Sequence, residues 1–433
     1  MLFFKKQAVW TDVDSLEDLR HDDCLSLRSG ASLLLVTHVP LRIGPRGLMI
    51  DDQTARGIRQ WCRYFDRISF YGILERDPQT SDSSTYWVEL SQIVPDGRAQ
   101  LFAMPWAYDG ARMLRHMVAG RRELRQAIAA HRHLCFTLGS VIGDWPAVAA
   151  FEAIRQQRSY AAWIDRVEPF IIRNKLADAP VKRMVAECMF PFTQGALRYL
   201  LRKSQVALLQ GGDTYEYYAA DAPAPHCTYD THTDIAEQIG PAALSRKIAH
   251  ILAQPPLKIV YVGRAAGMKG PMQWLDALEL LHQRDVPFRA SWIGDGPELA
   301  AMRARVAASG LESLVELPGF EGRREILLER MRQSDLLLFC HQTPESARCL
   351  IEALVCGCPV VGYGSAYPQD LVSKRGGGLF VERGDCVQLA ERLEYLHHDR
   401  LALARLVTEA ASSGELYNED AVYAHRAQLM LQA

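Results

Sequence analysis

From Lys258 onward the chain repeats one phrase: a short apolar, β-branched run, a glycine-bearing loop, then a stretch with helical periodicity. Lys258 to Val262 ends in Gly263 and leads to a helix from Met272 to Gln283; Phe288 to Ile293 ends in Gly294-Asp295-Gly296-Pro297 and leads to a helix from Glu298 to Ala308. Val315 to Leu317, a helix from Arg324 to Met331, Leu336 to Phe339, a helix to about Cys356 and the strand Pro359 to Tyr363 continue the series. Strands that alternate with helices must be parallel, because each helix carries the chain back to the start of the next strand, and helices then cover both sheet faces.

The first half has the same grammar, less cleanly. Leu33 to Val39 reads as a buried strand, followed by a loop holding Gly44 and Gly47, a helix from about Asp52 to Phe65 and the strand Ile68 to Leu74. Weaker strands fall at Tyr86 to Leu90 and Gln100 to Met104. A helix from about Gly110 to Ala130 precedes the strand Leu134 to Leu138, and two helical stretches separate that strand from Val206 to Leu209. A chain of 433 residues exceeds one ordinary core. Gln254-Pro255-Pro256 is the natural linker, so the expected fold class is α/β: two doubly wound, Rossmann-like domains over 1–254 and 255–414, facing a cleft. Ligands in such sheets bind beyond the carboxyl ends of strands.

Composition narrows the partners. A formal net charge of -2 gives no electrostatic case for nucleic acid. Apolar runs fall well short of a membrane span, and Met1-Leu2-Phe3-Phe4-Lys5-Lys6 lacks a secretory apolar region, so a cytoplasmic protein with reduced cysteines is expected. The helix from Gly110 to Ala130 sets Arg112, Arg115, Arg121, Arg122 and Arg125 against Glu123, with Met113, Met117, Leu124 and Ile128 as its apolar stripe. A core-packed helix with a solvated basic face outweighs peripheral contact with the inner face of a membrane, which stays open as the alternative. Asp12-Val13-Asp14 reads as solvated surface, and other acidic, His and Cys residues lack metal-ligand spacing.

Two segments carry chemistry. Gly263-Arg264-Ala265-Ala266-Gly267-Met268-Lys269-Gly270 follows a strand and offers a guanidinium fork and a mobile ammonium, which together suit a diphosphate. Two solvated cations at a turn explain it as well on residue type alone. In the second, Thr343 is the expected N-cap and Pro344 the first helical residue, so the free N–H groups near Glu345, Ser346 and Ala347 would attract anionic oxygen. Glu345, Arg348 and Glu352 then share one helix face, as either a ligand-binding stripe or a surface ion-pair ladder.

In order along the chain stand Gly263 to Gly270, Gly294 to Glu298, Leu317-Pro318-Gly319-Phe320, Ser334-Asp335 and Glu352-Ala353-Leu354 through Gly357-Cys358-Pro359-Val360-Val361. This series resembles the donor domain of glycosyltransferase family 4, retaining enzymes of GT-B architecture, over about Lys258 to Val381. The resemblance implies sugar transfer, hexosyl in type, from a nucleotide-diphosphate-sugar co-substrate to an acceptor hydroxyl, in glycan or polysaccharide biosynthesis, with no cofactor and no required metal. It makes Arg264 and Lys269 the diphosphate binders, Glu345 a sugar contact and Glu352 the ribose contact. Gly263, Ser346, Ala347 and Arg348 join the donor site, with Gly319 and Phe320 near the base and Gly44 and Gly47 opposite the phosphates. It also implies that residues 415–433 form a helix returning to the first domain. The acceptor, whether a glycan, a lipid-linked sugar or a small molecule, is unspecified. One departure stands out: the family places seven residues between two glutamates, whereas six separate Glu345 from Glu352, and Pro344 occupies the matching position. Tyr229, Asp230 and His232, with His226, are candidates for the acceptor side, and His341 has no assigned role. A nucleotide-sugar epimerase or hydrolase and a non-catalytic nucleotide-sugar-binding scaffold are the rival readings.

Overall fold

The computed structural model describes residues 30–75, 86–108, 110–139, 143–168 and 180–432, without the side chains of 180–183, 185 and 186. Asp12 and Asp14 lie outside the described residues. In the first half, β1 (Ser32–Gly44), β2 (Gly47–Asp51), α1 (Asp52–Trp61), β3 (Arg67–Leu74), β4 (Trp87–Glu89), α2 (Leu90–Ile93), β5 (Ala99–Met104), α3 (Gly110–Ala130), β6 (His133–Thr137), α4 (Trp145–Arg155), β7 (Ala161–Ile164), α5 (Pro180–Lys203), β8 (Val206–Gln210), α6 (Gly212–Tyr218) and β9 (Pro225–Thr228) follow in order. Seven of these strands pair in parallel in the order β5-β3-β1-β6-β7-β8-β9.

β1 is longer than its apolar run. Its register with β3 shifts between Val36 and Pro40, because a proline cannot donate to a ladder, and the strand then continues into an antiparallel hairpin with β2. Gly44 and Gly47 pair at the tip of that hairpin, so they are not the loop that follows a parallel strand. The four-residue strand β7 lies where the sequence reading placed helix, and β9 where it placed no element. Each is too short for periodicity to separate from its flanks.

The second half is α7 (Pro241–Leu252), β10 (Leu257–Val262), α8 (Pro271–Gln283), β11 (Phe288–Ile293), α9 (Leu299–Ala308), β12 (Val315–Gly319), α10 (Arg324–Gln333), β13 (Leu336–Phe339), α11 (Arg348–Val355), β14 (Val360–Tyr363), α12 (Ala366–Leu371), β15 (Gly378–Val381), α13 (Cys386–His398) and α14 (Arg400–Gly414). Its sheet is wholly parallel, in the order β12-β11-β10-β13-β14-β15. The strand order reverses between β10 and β13, as it does between β1 and β6 in the first sheet, and such reversals leave a crevice at the carboxyl ends of the strands. The last helix, α15 (Glu419–Gln432), puts Tyr423, Ala424, Ala427 and Met430 into the core of the first sheet, beside Leu33, Ile58 and Trp61.

One local expectation fails. α11 starts at Arg348 with Ala347 at its N-cap position, not at Thr343 and Pro344. Glu345 instead forms an isolated antiparallel bridge with Arg166, just beyond β7, and Ser346 donates to the Gln210 carbonyl at 2.6 Å. Contacts with the other sheet keep residues 343–347 extended, which overrides a favourable capping sequence. The first free helical N–H groups therefore belong to Arg348 and Cys349.

Candidate active site

The crevice between β10 and β13 is built from three loops. β10 runs into Gly263, whose carbonyl accepts from Trp292 Nε1 at 3.1 Å. Ala265 is clamped on both sides: its N–H donates to the Asp295 carbonyl at 2.9 Å and its carbonyl accepts from Glu298 N–H at 3.0 Å. The Gly294-to-Glu298 segment thus serves as a brace for the cationic loop. A single 3₁₀ turn, Gly267–Lys269, ends at Gly270 with φ +66°, and a β-carbon there would stand 2.0 Å from the Cys340 carbonyl oxygen. Only glycine allows Lys269 to sit this close to the end of β13.

Lys269 Nζ meets Glu345 Oε2 at 2.8 Å, with both side chains largely buried. Behind them, His341 Nδ1 lies 3.5 Å from Glu345 Oε1, and His341 Nε2 is 2.8 Å from the Tyr261 hydroxyl. Burial pushes the Glu345 carboxyl up, against the pull of Lys269. Burial and the same ammonium hold His341 well below its ordinary range, so its imidazole is neutral at physiological pH. Arg264 stands exposed on the cationic loop. The structure brings Lys269 to Glu345 despite the one-residue departure in spacing, because the extended segment, not a helix turn, carries the carboxylate.

Arg348 opens α11, and Glu352 follows one turn later. Glu352 Oε1 accepts from Arg324 Nη1 at 2.6 Å, while Arg324 Nε and Nη2 hold both Glu237 carboxylate oxygens at 2.8 and 2.9 Å. The sequence reading had no signal for Arg324 or Glu237, since they come from two separate elements. Gly319 ends β12 and Phe320, next to it, is exposed. Gly44 and Gly47 stand at their hairpin tip, and Gly47 lines a shallow hollow with Glu89 and Phe102, apart from this crevice. On α3, Met113, Leu124 and Ile128 are buried against the core, whereas Leu114 and Val118 are exposed.

A cavity of about 360 Å³ opens at the carboxyl ends of β1, β6, β7 and β8. Arg348 reaches it from the second half, Asp230 and His232 from the connection between the sheets, and Tyr423 from α15; Arg264, Lys269 and Glu345 do not line it. His38, at the bulge of β1, has Nδ1 3.3 Å from the Tyr108 hydroxyl and Nε2 3.7 Å from Asp144, whose carboxyl burial pushes up to about 6. Burial is the largest influence and raises Asp230, but Arg426, His232 and Arg348 together outweigh it and hold this carboxyl below its ordinary value. His232 is pushed down to about 4 by burial. Asp165, immediately after β7, lines the cavity and was missed from the sequence. Burial raises its carboxyl against the pull of Arg166, His38 and a hydrogen bond from its own backbone N–H.

Residues 246–413 match the family model for Glycosyl transferases group 1. That stretch contains the cationic loop, Glu345 and Glu352. Among curated proteins, the chain is 29% identical over 203 residues to 2-deoxystreptamine N-acetyl-D-glucosaminyltransferase of Streptomyces fradiae, covering 45% of this chain and 47% of that one. It is 27% identical over 183 residues to a putative colanic acid biosynthesis glycosyltransferase, WcaL, of Salmonella typhimurium, covering 40% and 45%. The matched region thus spans about half the length of these relatives. Two solved structures share the architecture over nearly the whole chain: Anabaena Alr3699/HepE in complex with UDP (TM-score 0.63, 17% identity, 92% of this chain and 97% of that one), and sucrose-phosphate synthase from Thermosynechococcus elongatus (TM-score 0.62, 14% identity, 93% and 98%). The fold is GT-B: two Rossmann-like lobes with a cleft between them. No helix of the described residues is long and apolar enough to cross a membrane.

Proposed function

We propose that the protein transfers a sugar, hexosyl in type, from a nucleotide-diphosphate donor to an acceptor hydroxyl, with retention at the anomeric carbon. The observation that carries this reading is the Lys269–Glu345 contact at the strand-order reversal of the second sheet, inside the matched stretch. In this reading Lys269 and Arg264 hold the diphosphate and Glu352 the ribose. The acceptor hydroxyl attacks the anomeric carbon as its bond to the phosphate oxygen breaks. The departing diphosphate takes the hydroxyl proton, and the two cations stabilise the charge that develops on it. Lobes that already touch through Arg166–Glu345 and Ser346–Gln210 keep acceptor and donor oriented. The donor acts as co-substrate, and no metal or cofactor enters the scheme. The relatives named for 2-deoxystreptamine and colanic acid support polyhydroxylated acceptors in glycan assembly.

Calorimetric titration with UDP, GDP and ADP, followed by transfer assays with the corresponding sugars, tests the proposal. One nucleoside diphosphate binds to the wild type, and Lys269→Ala weakens it roughly tenfold to a hundredfold, the equivalent of one charge-assisted contact of about 1.5–3 kcal/mol. Absence of binding by any of the three overturns the reading. Full-rate donor consumption without acceptor identifies a hydrolase or epimerase instead. Peripheral membrane contact rests on the basic face of α3, and salt-sensitive sedimentation with anionic vesicles decides it.

A further inference from the structure

We infer that the second lobe carries a separate phosphate-binding hollow at the amino ends of β10 and β13, built around Lys247. A cavity of about 300 Å³ lies there between α7 and α10, at the opposite ends of these strands from the donor crevice. Lys258 near the start of β10 and Asp335 just before β13 line it, with Arg246 and Lys247 from α7 and Glu329 and Arg332 from α10.

The charges in this hollow do not balance. Glu329 is already engaged, by Arg332 at 3.7 Å and by Gln333 Nε2 at 2.7 Å. Asp335 is the other carboxylate, and one of its oxygens accepts from Lys258 N–H at 2.9 Å. Its charge is shared by two cations that are themselves buried, Lys247 at 8% and Arg400 at 3% exposure. Lys247 Nζ makes one long hydrogen bond, to the Met331 carbonyl at 3.5 Å, and Arg400 Nη1 makes none among the described residues. The side chains of Arg246 and Lys258 have neither a hydrogen bond nor an ion pair among the described residues. Burial holds Lys247 below the ordinary lysine range despite the opposing pull of Asp335. One shared carboxylate therefore undercompensates a buried positive excess, which is costly and which an entering anion relieves. A phosphoryl group has enough acceptor oxygens to meet Arg246, Lys247 and Lys258 together, where a carboxylate has only two. The volume leaves room for a small esterified body beside it.

Calorimetric titration of the full chain with inorganic phosphate and with glycerol 3-phosphate, with and without saturating UDP, tests this. Both bind with Kd below about 10 mM, and UDP leaves their affinities unchanged. Arg246→Gln and Lys258→Gln each weaken them about fivefold or more, and Lys247→Met does so more strongly. Arg289→Gln, which removes a cation at the start of β11 outside the hollow, changes them less than about twofold. Tighter binding of the ester makes a phosphate ester the ligand; binding of phosphate with the ester excluded keeps the site and makes the free ion its ligand. No binding of either at about 10 mM, displacement by UDP, affinities that survive the Arg246 and Lys258 variants, or an equal loss in Arg289→Gln each overturn the proposal. Failure of UDP to bind strikes the donor reading alone, because the titrations without UDP still decide this one.

Discussion

Lys269 and Glu345 neutralise each other, so a diphosphate bound as proposed would have to share or displace that pairing. Glu345→Gln removes the competing charge and keeps the shape. Nucleoside diphosphate affinity is then unchanged or higher, whereas transfer falls by about tenfold or more, because the sugar contact is lost. Steady-state kinetics beside calorimetry separates the two effects, and unaltered turnover ends the assignment of Glu345 to the sugar. Asp165 gives an opposite signature in stability. Its folded-state pKa is raised, so the carboxylate's cost sets in as pH rises from the ordinary carboxylate range through the folded value. Asp165→Asn removes that cost, and thermal unfolding at neutral pH rises by about 2 °C or more. The gain disappears near pH 4, below which wild-type Asp165 is neutral in both states. A variant less stable than the wild type at neutral pH would instead mark Asp165 as structurally satisfied.

At the scale of elements, the cationic loop was legible because its constraints are local: a strand end, a glycine, two cations and the helix after them. Gly270→Ala tests how much rests on that turn. The left-handed φ of +66° and a β-carbon 2.0 Å from the Cys340 carbonyl both oppose the change. The expected cost is about 2 kcal/mol or more in denaturant unfolding, with weaker nucleotide binding because Lys269 is displaced. Unchanged stability would mean that the end of β13 yields. The start of α11 was illegible for the converse reason. Thr343-Pro344 is a sound capping sequence, but the Arg166 bridge and the Ser346–Gln210 bond come from residues far away in the chain. Asp165 and Arg324 escaped notice likewise: one follows a strand of four residues, and the other finds its carboxylates only after folding. β2 was hidden behind two glycines that read equally well as a loop or as a hairpin tip.

At the scale of the molecule, two lobes built on parallel strands were within reach of the alternating pattern, but the strand order and the means by which the lobes are pinned together were not. Arg426 on α15 is wholly buried; its guanidinium lies 4.5 Å from the Trp163 ring, donates to the Tyr229 carbonyl and approaches Asp230 at 3.5 Å. Tyr229 in turn donates to Asp370 of the second half at 2.5 Å. One cation therefore ties the first sheet, the connection between the sheets and the final helix into a single unit beside the cavity. Arg426→Leu removes the nearest cation from the Asp230 carboxylate, which keeps Arg348 and His232, and costs about 3 kcal/mol, the low end for removal of one partner from a buried pair. Asp230→Asn alone leaves the guanidinium under-satisfied and is also destabilising. The double variant removes both members of this pair, so its loss is smaller than the sum of the two single losses, by at least about 1 kcal/mol. Asp230 is held below its ordinary pKa, so its contribution is present at neutral pH and fades as pH falls through the folded value. The coupling measured by urea unfolding must therefore shrink in acid. Strictly additive losses at neutral pH would show that α15 merely covers the first sheet, and that the lobes are held together elsewhere.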